Sequence, residues 1–470
     1  MSAAAAPQGF RLQAPIGLVS AFAPLNSTLI AVGLPAIRRD LGIGSGALTL
    51  LVSSYLIAVA VCQPVGGRLG DAFGHLRIVK AGLAVLVFFS FASALAWNFE
   101  VLVAMRALQG VSAALISPNA IAYLRKNTPP ERLGAVLGAS GAAIAGAAAL
   151  GPIFGGLLLF AGDWRLLLIA NVPLALLAAA LVFTLPADKG AGRAVLKLDP
   201  VSLFALLAGF TGITLFGNAL RLRIPALTGV AVLLFAGGLA VYAIRYARTR
   251  SGVVDLRLFT RRNYSVPAAG NALNNCVMYT TLIAMPIYLG DLQGMSDFAS
   301  AMALFVLGAT MVVIGPFAGR LSDRVGPRPL MSIGAVIMLL ASVALIGATN
   351  DAPFPLLLVP LLMIGASLGL ISGPQQAVSL RALAPSEAGS GSGTYQMMRY
   401  VGSVAGTALL AGIVGKQATY GEFQLLFLVL SGVAAINLAT AFLIRPGTES
   451  PHPGPLLLPG EGREREFRAG

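Results

Sequence analysis

A chain of 470 residues that is 57% hydrophobic and only 11% charged, with a mean hydropathy of +0.84, carries more apolar surface than a soluble domain can cover. A soluble enzyme or soluble binding domain is therefore excluded as its class. The balance of 32 Lys and Arg against 18 Asp and Glu, a formal net charge of +14, reads as basic loops held on the cytoplasmic side of a bilayer. It does not read as a nucleic-acid face, and no nucleic-acid partner is expected.

Apolar runs of the roughly 20 residues that a membrane span needs recur along the chain, and about fourteen spans are expected. Residues 1–13 form a cytoplasmic N-terminus. Span 1 (14–36) lacks a preceding basic region and a cleavage site, so it reads as a retained span and not as a signal peptide; it carries Leu25, Asn26, Ser27 and Thr28, and ends near Leu34 and Pro35. Span 2 (47–66) contains Tyr55 and Cys62 and runs into Gly67, Arg68, Leu69, Gly70, Asp71, Gly74 and Arg77. Spans 3 (79–97) and 4 (101–123) follow. In span 4 an always-charged guanidinium, Arg106, sits in an apolar run with Gln109 at i+3 on the same face; its cost in lipid directs it to the bundle interior, with a partner.

Span 5 (134–160) is rich in Gly and Ala, and its Gly151, Pro152, Gly155 and Gly156 favour a close helix seam and a bend. Span 6 (166–186) closes a first six-helix bundle, 14–186. A linker and an inserted pair, spans 7 (200–219) and 8 (225–244), occupy 187–264. Six further spans (265–289, 297–318, 330–348, 354–378, 390–414 and 423–444) make a second bundle, 265–444. They contribute Asn271, Asn275, Gln375, Gln376, Gln396 and Arg399, amides and one cation able to orient a ligand in an apolar pocket. The Pro- and Gly-rich segment 445–470 is expected to be a disordered cytoplasmic tail. After span 10 the segment Gly319, Arg320, Leu321, Asp323 and Gly326 repeats, at the same spacing, Gly67, Arg68, Leu69, Asp71 and Gly74, and continues to Arg328; this indicates a duplicated bundle. The fold class expected is thus an all-α polytopic membrane protein of six plus two plus six spans. Cys62 and Cys276 lie in apolar runs, while His75 and His452 lie in a loop and the tail, so neither a metal site nor any cofactor is expected.

The segment from Gly67 to Arg77, with its second copy ending at Arg328, resembles the loop signature of the major facilitator superfamily. Arg106 to Gly110, Gly151 to Gly156, Trp164-Arg165 and Asn171-Val172-Pro173 are similar to the fourteen-span drug:proton antiporter branch. The resemblance implies a monomeric secondary transporter of the plasma (inner) membrane, not an enzyme, that exports small molecules by alternating access, exchanges them for protons, and contributes to multidrug resistance. It implies a gating role for Gly67, Asp71, Gly74, Arg77, Gly319, Asp323, Gly326 and Arg328, in which Asp71 pairs with an Arg or caps a neighbouring helix. The central cavity is expected between Asn26, Tyr55, Arg106, Gln109, Asn271, Asn275, Gln375, Gln376, Gln396 and Arg399.

One residue departs from that pattern. Many members of the branch carry an acid where this chain has Asn26, an amide that does not titrate, and none of the 18 acids falls in the middle of an expected span. Arg106 cannot replace a proton carrier because it stays charged. With two cations and no buried carboxylate, the cavity field favours neutral or anionic cargo over lipophilic cations. An exporter of small amphipathic or apolar molecules is the primary reading. A gradient-independent facilitator or carrier of anionic metabolites, and a non-transporting receptor or scaffold, remain open.

Overall fold

The computed structural model describes residues 8–43, 45–129, 132–186, 199–249, 252–295, 297–347, 353–384, 387–415 and 418–443. The tail at 445–470, most of the linker before Pro200, and Asp351 lie outside the described residues, as do the side chains of Pro152, Asp291 and Asp297. Among the described residues all regular structure is helical: α1 (Gln8–Leu41), α2 (Ser45–Phe73), α3 (His75–Ala94), α4 (Phe99–Lys126), α5 (Leu133–Ala161), α6 (Arg165–Ile169), α7 (Asn171–Phe183), α8 (Pro200–Leu222), α9 (Pro225–Thr249), α10 (Arg262–Ile287), α11 (Asp297–Val325), α12 (Pro327–Ile346), α13 (Phe354–Arg381), α14 (Ala388–Ile413) and α15 (Tyr420–Phe442). Among the described residues, eleven helical segments, counting α6 and α7 as one, are long and apolar enough to cross a membrane. The helices outside that number are α1, α5 and α14. In α14 the reason is visible, since Ser390, Ser392, Thr394, Gln396 and Arg399 interrupt its apolar character.

Local chemistry sets the helix ends. Asn98 accepts a hydrogen bond from the Val101 amide at 2.8 Å at the start of α4, Asp199 accepts one from Val201 at 3.2 Å ahead of α8, and Thr419 with Glu422 forms a reciprocal capping box at α15; each supplies an acceptor to amides that have no intrahelical partner. Two sequence expectations need correction. The Gly67 to Gly74 segment is not a loop: α2 continues to Phe73 and α11 to Val325, and the chain turns at Gly74 (φ 99) and Gly326 (φ 83), where only glycine is unstrained. Span 6 is broken at Ala170, because Pro173 has no N–H for the Ile169 carbonyl and its ring crowds that oxygen.

Within the first half α1 packs on α5, α2 on α4, and α3 on α4 and α7; within the second, α10 packs on α14, α11 on α13, and α12 on α13 and α15. Across the halves α2 meets α14 and α11 meets α5, while α8 and α9 pack together and α8 also lies against α14. Small residues carry these seams. A Cβ on Gly402 of α14 would run into the Ala272 carbonyl oxygen of α10, and one on Gly217 of α8 into the Ala408 carbonyl oxygen of α14. Gly151 of α5 meets Thr28 of α1 in the same way, whereas Gly156 has open space beside it, so of the span 5 glycines Gly151 makes a tight approach and Gly156 does not. Gly402→Val is expected to cost several kcal/mol, since backbone on both sides must move, and to remove the monodisperse peak in size-exclusion chromatography; Gly156→Ala should leave that peak unchanged.

Candidate functional site

The centre of the first half is a polar cluster around Arg106, which is fully buried. Its Nη1 donates to Asn26 Oδ1 of α1 at 2.7 Å and to Gln109 Oε1 at 2.8 Å, and its guanidinium carbon lies 4.5 Å from the centre of the Tyr55 ring of α2. Gln109 donates onward to Ser90 Oγ of α3 at 3.1 Å, and Asn171 Nδ2 at the start of α7 donates to Asn26 Oδ1 at 3.3 Å. Five helices thus converge on one cation. The buried ionisable residues of the described chain are Arg106, Asp199 and His75, besides tyrosines and Cys276, and Asp199 sits at the far-off start of α8. Among the described residues the Arg106 charge is therefore met by neutral oxygens and a ring face, with no acid beside it, and its Nε is buried without a partner. Ser90 was not singled out from sequence, and Asn171 only as part of the Asn171-Val172-Pro173 motif and not as a site residue; their signal is a polar side chain in an otherwise apolar span.

In the second half the amides bond mainly to one another. Asn275 Nδ2 donates to Asn271 Oδ1 at 3.0 Å, Asn271 Nδ2 to the Tyr395 carbonyl at 3.1 Å, Asn274 Nδ2 to Gln375 Oε1 at 3.2 Å, and Asn437 Nδ2 to Asn274 Oδ1 at 2.8 Å. Asn274 and Asn437, both missed in the sequence reading, are the link between α10, α13 and α15. Gln376 is buried with Nε2 unpartnered. Gln396 does not pair with Arg399 as Gln109 does with Arg106: its Nε2 donates to Ser117 Oγ of α4 at 3.2 Å, because the face of α14 carrying Gln396 packs against the first half. Arg399 is half-buried.

The first of the paired Gly-Asp segments bridges the two halves. Asp71 Oδ1 and Oδ2 accept hydrogen bonds from the amides of Gly389 (3.0 Å) and Ser390 (2.9 Å), so the carboxylate caps the first turn of α14. A Cβ on Gly67 would strike the Gly389 carbonyl oxygen, so only glycine allows this approach. Arg125 at the end of α4 adds a bond from Nη2 to the Leu383 carbonyl at 2.7 Å. Asp323 lies 3.8 Å from Arg381 of its own half. His75 is not in a polar loop as expected: it is fully buried at the first position of α3, with Nδ1 2.8 Å from Asn119 Oδ1 and Nε2 3.7 Å from Asp71. Gly319 is buried, Arg77 exposed and Arg328 half-buried.

Outside the spans, Glu387 just ahead of α14 takes a two-pronged contact from Arg261, at 2.6 and 2.8 Å. The hydrogen-bonded guanidinium holds its carboxyl below the usual range, against the opposing effect of its own burial. A depressed carboxylate pKa adds stability above the unfolded value of about 4.3 that is lost as pH falls through the folded value. Glu387→Gln should therefore lower the thermal midpoint slightly at pH 7, by less than about 1 kcal/mol for so exposed a pair, and have no effect at a pH below the folded-state value.

A bundle of apolar helices in two packed halves, with a buried polar centre and a helix cap bridging the halves at one end, defines a polytopic membrane carrier. Residues 16–407, and again 270–466, match the model of the Major Facilitator Superfamily, and the chain belongs to that family. Its members are integral membrane transporters of small molecules, not enzymes. The chain is 30% identical over 409 residues to the tetracenomycin C resistance and export protein of Streptomyces glaucescens, covering 84% of this chain and 73% of that one. It is 27% identical to a multidrug resistance protein B homolog of Mycobacterium tuberculosis, covering 86% and 76%. The human organic anion transporter MFSD10 shares its fold, with a TM-score of 0.65 at 18% identity over 93% of this chain and all of that one.

Proposed function

We propose that this chain exports small amphipathic or apolar molecules from the cytoplasm by alternating access, as a fourteen-span, monomeric carrier of the inner membrane with both termini in the cytoplasm. Export is carried over from the resistance and export relatives. Two bundles of six with α8 and α9 inserted between them agree with the matching pairs of packed helices, since α1 on α5, α2 on α4 and α3 on α7 recur as α10 on α14, α11 on α13 and α12 on α15. The Asp71 cap on α14 and the Arg125 bond to Leu383 hold the bundle together at the end bearing Gly74, which is the cytoplasmic end in this reading; the molecule then faces outward. Asp71, Gly67, Gly74 and their counterparts Gly319, Asp323 and Gly326 act as the gate, and the polar centre around Arg106 as the substrate and coupling site.

The observation that carries the coupling claim is the Arg106 cluster: a buried cation held by Asn26 and Gln109, with no titratable acid beside it. Transport is accordingly expected to depend little on a proton gradient. A gradient-independent facilitator, or a carrier of anionic metabolites, is the second reading, favoured by the same cluster and by half-buried Arg399. Counterflow separates any carrier from a scaffold that only binds. A ligand chosen because it raises thermal stability as RT ln(1 + [L]/Kd), preloaded into proteoliposomes, should drive transient accumulation of its labelled form. Binding without accumulation would refute the carrier reading. Reporter fusions at His75 and Ser251 should report cytoplasm, and fusions at Trp97 and Ile224 the opposite side.

A further inference from the structure

Tyr55 of α2, Tyr279 of α10 and Tyr400 of α14 belong to one buried cluster together with Met397 and Val404, and Met278 and Met398 pack against it. The cluster draws on both halves of the molecule, so any movement of one half against the other opens or reshapes it. Two cations border it. Arg106 lies over the Tyr55 ring, and half-buried Arg399 directly precedes Tyr400 on α14. Each of the two cations has its Nε buried without a partner, but Arg106 is held through Nη1 by Asn26 and Gln109, whereas the Arg399 side chain makes no hydrogen bond or ion pair with a described residue.

We propose that this is a binding site for planar aromatic molecules carrying a delocalised negative charge, with the ring system among Tyr55, Tyr279 and Tyr400 and the anionic group on Arg399. The proposal rests on the exporter reading and narrows its cargo. Three physical arguments converge. An unneutralised guanidinium inside a membrane protein is costly, and an anionic ligand supplies the missing counter-charge. The planar fork of Arg matches a planar or trigonal oxyanion in two-pronged geometry, which a lysine would not. Tyrosine rings offer large apolar faces for stacking, and methionines adapt to different ring outlines. A lipophilic cation would meet the repulsion of both Arg106 and Arg399, and an aliphatic anion would forgo the stacking.

The test uses the full chain in detergent and four probes of related size: 2-naphthalenesulfonate, neutral 2-naphthol, the cation N-methylquinolinium and the aliphatic anion cyclohexanesulfonate, each titrated by its effect on the thermal midpoint. 2-Naphthalenesulfonate is expected to bind at least about tenfold more tightly than either the cation or the aliphatic anion, a difference well resolved by such titrations. Arg399→Gln should weaken the sulfonate about tenfold and leave 2-naphthol within about twofold. Tyr400→Leu should weaken both aromatic probes, and Tyr400→Phe, which keeps the ring and the packing, should keep both. Equal or tighter binding of N-methylquinolinium, or an Arg399→Gln protein that binds the sulfonate as the native one does, would overturn the proposal. Counterflow of the same probes keeps the two claims apart. Sulfonate binding without counterflow refutes the exporter and leaves the site standing, whereas counterflow of the cation without sulfonate binding refutes the site and leaves the exporter standing.

Discussion

Asn26→Asp is expected to create a dependence on the proton gradient that the native protein lacks. Arg106 Nη1 already lies 2.7 Å from Asn26 Oδ1, and Asp is nearly isosteric with Asn, so a carboxylate oxygen would inherit that contact. The bond becomes charge-assisted, roughly twice as strong as a neutral one. Arg106 would lower the proton affinity of the new carboxylate while burial raises it, which produces a group able to change protonation during the cycle. One unit of pH across the membrane is worth about 1.4 kcal/mol per proton, so coupling to one proton should sustain a substrate gradient of about tenfold. Neutralising Arg106 should also move the cargo preference toward cations. Arg106→Ala is the informative control: it leaves Gln109 Oε1 buried without its donor, at about 1–3 kcal/mol, and Asn26 Oδ1 with only the longer bond from Asn171. It should lower thermal stability and transport without creating pH dependence.

Gly67→Val is expected to abolish transport while leaving a folded protein. The added side chain would collide with the Gly389 carbonyl, and neither α2 nor α14 can yield without parting at the end bearing Gly74, which also breaks the Asp71 bonds to Gly389 and Ser390. Packing inside each half is untouched, so the loss should appear as a shifted conformational equilibrium. A shift of about 3 kcal/mol changes the ratio of closed to open gates by more than a hundredfold. Asp71→Asn should be milder, because an amide oxygen still caps α14 but without charge; replacing a charged acceptor costs about 1 kcal/mol. Both variants should express and bind ligand nearly as the native chain does. A cysteine placed near Ser392, in a background without Cys62 and Cys276, should label faster from the cytoplasmic side in Gly67→Val than in Asp71→Asn, and slowest in the native gate. Loss of folded protein for Asp71→Asn would make the aspartate a structural support and not a latch.

Much of the architecture was legible because membrane solvation is a strong constraint: long apolar runs must be helices, and charges must lie at their ends or be held inside. The same rule placed Arg106 in the interior with Gln109 beside it, and made the capping role of Asp71 one of two options. Asn26 was legible as a departure by its chemistry alone. Other features depend on which helix faces which, and spacing along one chain does not carry that. Asn171 and Ser90 join Arg106 from α7 and α3, 65 and 16 residues away in sequence, and Asn437 meets Asn274 from across the second half. His75 looked like loop because it follows a Gly-rich turn, yet its burial is imposed by Asn119 on α4.

Transport by the native protein under an imposed pH step tests the central claim most directly, that the Arg106 cluster holds a fixed positive charge and no proton carrier. Proteoliposomes at matched substrate concentration, with and without one unit of pH across the membrane, should give initial rates and final distributions that agree within about twofold, whereas Asn26→Asp should show a distribution displaced by about tenfold. Accumulation of substrate by the native chain against its own gradient, driven by the pH step, would contradict the account.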